Sequence, residues 1–213
     1  MRVYNALAYS FAWGICKVIS DDSLLIIILY VAISRDGYLA DEQGGVGWLS
    51  MENPDEDYGY ESFYRSIDAL VMGSKTYEQI ISFGEWPYPG KTTYVFSKRK
   101  LKSVDKDIIF VPVDVKVFID NLKKDKSVNN LWLVGGGQLI NSFASLGLID
   151  ESIITTVPKE LRKGLSLPGN VLTQSTLQEE KTKLFPDKVT QHYYVKRYEP
   201  VRREIRQKDH IHQ

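Results

Sequence analysis

Residues 131–143 read Leu-Trp-Leu-Val-Gly-Gly-Gly-Gln-Leu-Ile-Asn-Ser-Phe, and no other stretch limits the fold so tightly. The leading apolar run suits a strand buried on both faces, and Leu139, Ile140, Phe143 and Leu146 then recur at helical spacing. Gly135, Gly136 and Gly137 lie between the two patterns. A strand that turns straight into a helix through glycines exposes backbone N–H groups, with no Cβ in the way, at the positive end of the helix dipole. Such a turn can seat a phosphate, although a tight connection that binds nothing fits a single glycine cluster equally well.

A second junction, Leu70-Val71-Met72-Gly73-Ser74-Lys75-Thr76-Tyr77, tips that balance. Here too a buried strand passes through glycine into a helix, and the first turn carries two hydroxyls and a lysine. The stretch is not a nucleoside-triphosphate loop, because Ser74 and Ala69 stand where that pattern needs glycine. Nor do the three later glycines make a G-x-G-x-x-G turn, whose last glycine would fall on Ile140. Both junctions point to phosphate binding outside the two commonest frameworks.

Patterning along the rest of the chain places these junctions in an α/β fold. Strands are expected at residues 24–33, 69–72, 92–96, 108–111 and 152–157, with Ser74 and Asp114 as helix caps. The helix after Asp114 carries Val115, Phe118, Ile119 and Leu122 on one face, and residues 176–198 read as a hairpin around Pro186-Asp187. Repeated strand-helix-strand units with a closing hairpin imply one mixed, mostly parallel sheet with helices on both faces. At 213 residues, 43% hydrophobic and 25% charged, the chain has material for one sizeable core, here residues 24–199. Residues 1–23 read as an N-terminal extension lacking signal-peptide architecture, and 200–213 as a polar tail.

Charge and cysteine content narrow the partners. The 27 basic and 27 acidic residues cancel, so no overall field favours nucleic acid or an anionic membrane. The lone Cys16 permits neither an intramolecular disulfide nor a cysteine-held zinc, which suits a reducing cytoplasm. His210 and His212 alone are too few for a metal site.

Five ordered segments carry a family likeness: 31–40, 47–49, 68–77, 94–99 and 134–139. Over residues 25–198 the chain resembles the dihydrofolate reductase superfamily, in particular the bacterial branch holding the reductase domain of riboflavin biosynthesis. The resemblance implies a three-layer reductase fold with NADPH across the carboxyl ends of the central strands. It places Ala32 and Gly37 beside the nicotinamide, and Gly73, Ser74, Lys75 and Thr76 on the phosphates. Ser97, Lys98 and Arg99 would flank the adenosine, while Gly135, Gly136, Gly137, Gln138 and Leu139 would hold the pyrophosphate from the other side.

Trp48 is the expected substrate wall, and Asp57 is the candidate proton donor, against the plainer reading of its acidic run as helix capping. Asp36, just before Gly37, has a turn-shaping alternative, and His192 reads as a strand side chain rather than a catalyst. One departure concerns the cofactor: many relatives carry an arginine where Ser74 stands. The implied activity is hydride transfer to a small heterocycle, a pteridine or a ribosylamino-pyrimidine, by a cytoplasmic enzyme that could pair as a homodimer. The alternative is a dinucleotide-binding protein without turnover.

Overall fold

The computed structural model describes residues 25–49, 56–171 and 177–197. Expectations for the N-terminal extension, His210, His212 and the C-terminal tail lie outside them. Among the described residues, ten strands and four α-helices follow in the order β1 (Ile26–Ser34), β2 (Tyr38–Ala40), α1 (Tyr60–Ser66), β3 (Ala69–Gly73), α2 (Ser74–Ser82), β4 (Thr92–Phe96), β5 (Ile108–Val111), α3 (Val115–Asp125), β6 (Asn130–Gly135), α4 (Gly137–Ser145), β7 (Glu151–Val157), β8 (Leu165–Ser166), β9 (Leu177–Leu184) and β10 (Thr190–Lys196).

The main sheet runs β5-β4-β3-β6-β1-β7-β10-β9. Every neighbouring pair from β5 to β7 is parallel, and the hairpin β9–β10 adds antiparallel to β7. The mixed, mostly parallel sheet and closing hairpin expected from the patterning are therefore present. Because side chains alternate across a strand, β1 feeds two cores. Ile27, Leu29 and Val31 pack with α3 and α4 through Phe118, Ile119, Ile140 and Phe143. Ile26 and Ile28 pack with Phe63 of α1 and Trp132. On that same side Tyr77 of α2 meets Met72 and Val95. Helices thus cover both faces.

Side chains close the amino-terminal edge of the sheet. Asp68 accepts hydrogen bonds from the amides of Asn129 and Asn130, each at 2.9 Å, and Asp150 accepts from the amide of Ile27 at 3.0 Å. These carboxylates satisfy backbone donors that enter the sheet without a ladder partner.

Two local expectations need correction. Ser74 is the first helical residue of α2 rather than its cap; extended Gly73 holds the N-cap position and supplies no side-chain bond. Leu146 follows α4 and is 49% exposed, because the helix has already ended at Ser145 and the chain turns away from the core. The small β2–β8 sheet was not anticipated, since three and two residues are too short to show a period of two. By contrast Asp114 caps α3 as expected, accepting from the amide of Val117 at 2.9 Å.

Candidate functional site

The two glycine junctions meet at the carboxyl edge of the sheet. β3 and β6 are neighbours, with Met72 opposite Gly135, so α2 and α4 start side by side on opposite faces. A Cβ on Gly73 would lie 3.9 Å from the amide nitrogen of Gly136, and one on Gly136 would lie 3.0 Å from the Thr76 hydroxyl. Gly135 has φ 143°, a conformation that favours glycine, and its peptide bond to Gly136 is cis.

Neither α2 nor α4 receives a side-chain cap. First-turn amides have no intrahelical carbonyl, so Ser74, Lys75 and Thr76 on one side, and Gly137, Gln138 and Leu139 on the other, present N–H donors at two positive helix ends. Leu139 contributes only its main chain there, because its side chain is buried in the α3–α4 core. Gln138 and Lys75 are exposed.

The loop after β1 borders this edge. Gly37 has φ 89° and closes a turn in which its amide donates to the Ser34 carbonyl at 2.9 Å. A Cβ on Gly37 would meet open space, so the described residues require glycine there for its backbone angle and not for close approach. Asp36 shapes the turn: it accepts from the Ser34 hydroxyl at 2.7 Å and from the amides of Leu161 and Arg162. The Ser34 bond foremost, then the Leu161 and Arg162 amides, hold its carboxyl below the usual range. Gln79 of α2 ties the following loop down by donating to the Gly44 carbonyl at 2.6 Å. Trp48, in a 3-10 turn, is partly buried, and its indole N–H has no hydrogen-bond partner among the described residues. Ala32 stands on β1 opposite Thr155 of β7.

Ser97, Lys98 and Arg99 line one groove of about 430 Å³ with Lys100, Leu101, Phe110 and Pro112. Arg99 reaches from it back to α2, where its guanidinium lies 2.7 Å from Glu78 and 3.5 Å from the Ser74 hydroxyl. A guanidinium from the loop after β4 thus stands beside Ser74 at the start of α2.

Asp57 is exposed, and both of its oxygens are engaged by backbone: Oδ1 accepts from Gly59 at 2.8 Å and Oδ2 from Glu61 at 3.2 Å. The Gly59 bond, then the Glu61 bond, hold its carboxyl below the ordinary range. That geometry is a cap for α1 and keeps the group ionised, the opposite of what a proton donor needs. His192 faces Glu179 at 2.9 Å on the exposed hairpin, away from the junctions. Sequence reading passed over Tyr30, Thr155 and Gln191, which share one hydrogen-bonded network; as isolated strand residues they carry no motif.

A three-layer sheet with paired, uncapped helix starts at its carboxyl edge defines a reductase-like fold of the dihydrofolate reductase kind. The model of the RibD C-terminal domain matches residues 89–190. The uncharacterized protein YwjB of Bacillus subtilis is 35% identical over 167 residues, covering 78% of this chain and 95% of that protein. The chain belongs to the RibD C-terminal domain family. A solved protein of Shewanella sp. PV-4, which its name places in riboflavin biosynthesis, is 32% identical with a TM-score of 0.71, covering 82% of this chain and all of that one. The diaminohydroxyphosphoribosylaminopyrimidine deaminase/5-amino-6-(5-phosphoribosylamino)uracil reductase of Thermotoga maritima shares the fold at 14% identity and a TM-score of 0.61, over 81% of this chain and 56% of that one. Among the described residues no helix is long and apolar enough to cross a membrane.

Proposed function

We propose that the protein is an NAD(P)H-dependent reductase that transfers hydride to a small heterocyclic substrate. One observation carries this reading: two uncapped helix starts lie side by side, with Gly136 so close to Thr76 that a side chain would fill the space between them. Paired amide crowns of this kind fit a diphosphate, whose oxygens accept from both. Gly73, Ser74, Lys75 and Thr76 would hold it from one face of the sheet, and Gly136, Gly137, Gln138 and Leu139, through main-chain amides, from the other. The groove of Ser97, Lys98 and Arg99 would take the adenosine end. Arg99, fixed by Glu78, would supply the guanidinium that position 74 lacks, favouring the phosphorylated cofactor.

When bound, the cofactor supplies hydride; the protein supplies position, with Ala32, Gly37 and Trp48 around the nicotinamide and substrate. Titration with NADPH and NADH, followed by fluorescence, tests the reading. Tighter binding of NADPH supports it, and no binding of either dinucleotide overturns it. A second reading, dinucleotide binding without turnover, is favoured by Asp57, whose carboxylate is occupied by the start of α1. Cofactor oxidation across a panel of pteridines and ribosylamino-pyrimidines separates the two.

A further inference from the structure

Gln191 of β10 is 1% exposed, and its two amide protons are shared among three acceptors. Its Nε2 lies 3.2 Å from the Tyr58 carbonyl, 3.0 Å from the Thr155 hydroxyl and 3.4 Å from the Tyr30 hydroxyl, while Tyr193 donates to its Oε1. A carbonyl only accepts, so the atom facing Tyr58 must be the amide nitrogen, and the orientation of Gln191 is settled by its surroundings. An amide nitrogen does not accept. The protons of the Tyr30 and Thr155 hydroxyls are therefore turned away from Gln191, and among the described residues neither meets an acceptor.

Tyr30 is the less buried of the two residues. It is half-buried, whereas Thr155 is 4% exposed. Tyr30 shares the face of β1 with Ala32, two residues further on and thus about 7 Å nearer the glycine junctions. Its ring is stacked on Phe63 at 4.3 Å, with Tyr60 tilted at 6.3 Å and Trp132 edge-on at 6.2 Å, and the Trp132 indole donates to the Tyr30 carbonyl at 3.1 Å. Burial pushes the Tyr30 hydroxyl above the ordinary tyrosine range, and burial raises Tyr60 to about 12, so both stay neutral donors. A fixed donor among aromatic rings is suited to a flat ring edge that carries lone pairs.

We propose that Tyr30 is a substrate-binding residue whose hydroxyl donates to a carbonyl oxygen or ring nitrogen of a flat, neutral heterocycle, and that Gln191 is a positioning residue acting through it. The proposal rests on the reductase reading for the identity of the ligand, and on the network alone for the donor polarity. Lumazine, a pteridine with two carbonyl groups, is the probe, titrated calorimetrically into the full chain with and without saturating NADPH. Tyr30→Phe keeps the ring, and it should weaken lumazine binding about tenfold, the worth of one hydrogen bond, while the Kd for NADPH stays within about twofold.

Gln191→Leu should cost about threefold alone and nothing further in the Tyr30→Phe background, a non-additivity that loss of packing would not produce. Unchanged lumazine affinity in Tyr30→Phe, full additivity of the two substitutions, or no lumazine binding by the wild type up to about 1 mM overturns the proposal. Lumazine binding that depends on Tyr30 in a protein that binds neither NADPH nor NADH would leave this inference standing and remove the reductase reading. NADPH binding without lumazine binding would do the reverse.

Discussion

The starts of α3 and of the α2–α4 pair answer the same physical problem in opposite ways. Each helix begins with amides that no helical carbonyl can reach. At α3, Asp114 accepts from the amide of Val117 at 2.9 Å, so one of those free donors is satisfied by the chain's own side chain. At α2 and α4 the corresponding positions are Gly73 and Gly136, which have no side chain to give. An aspartate or serine there would stabilise each helix by only about a few tenths of a kcal/mol over glycine, so glycine gives up little stability in exchange for open, donor-lined space. The carboxylates Asp68 and Asp150 repeat the contrast at sheet level, closing the amino edge while the carboxyl edge stays open.

Breaking the open starts should have the largest effect. Gly136→Val would drive a side chain into the Thr76 hydroxyl and into the gap between the crowns, and NADPH affinity should fall about a hundredfold or more, read by fluorescence titration alongside a melting curve. Arg99→Ala tests the guanidinium delivered from outside the helices: NADPH should bind about tenfold more weakly and NADH unchanged, so the ratio of the two Kd values is the measurement. The closed start gives the converse result. Asp114→Ala should cost about 1 kcal/mol in denaturant unfolding and leave both dinucleotide affinities alone.

The smallest effect is expected at Asp57, a second closed start. Its carboxyl is held down in the folded chain, by the Gly59 amide first and the Glu61 amide second, so its contribution is present above the unfolded carboxylate pKa and is lost as pH falls through the lower, folded value. Asp57→Asn should therefore flatten the acid limb of the stability profile slightly, below about pH 4, and leave turnover near wild type. A large loss of turnover with intact cofactor affinity would return Asp57 to the chemistry.

Much of the fold was legible because it depends on local pattern. The residues at 115, 118, 119 and 122 gave α3, and Asp114 gave its start, since period and cap are properties of neighbouring residues. Ser74 misled for an instructive reason: serine is a good cap, but the chain is still extended at Gly73, so the hydroxyl enters one position too late to serve. Asp57 and Tyr30 exchanged prominence in the same way. An acid at a suggestive distance from Gly73 turned out to be satisfied by its own helix, while an unremarkable strand tyrosine is held by Gln191, 161 residues away.

By itself the sequence determined the alternation of strands and helices, the two glycine junctions and the likeness to a reductase family, because each is written in residues close along the chain. Only the tertiary structure decided that the junctions touch, that Arg99 stands beside Ser74, and which polar groups are already spent. Strand order brings together segments about sixty residues apart, and no local pattern encodes whether a donor or acceptor has found its partner across that distance.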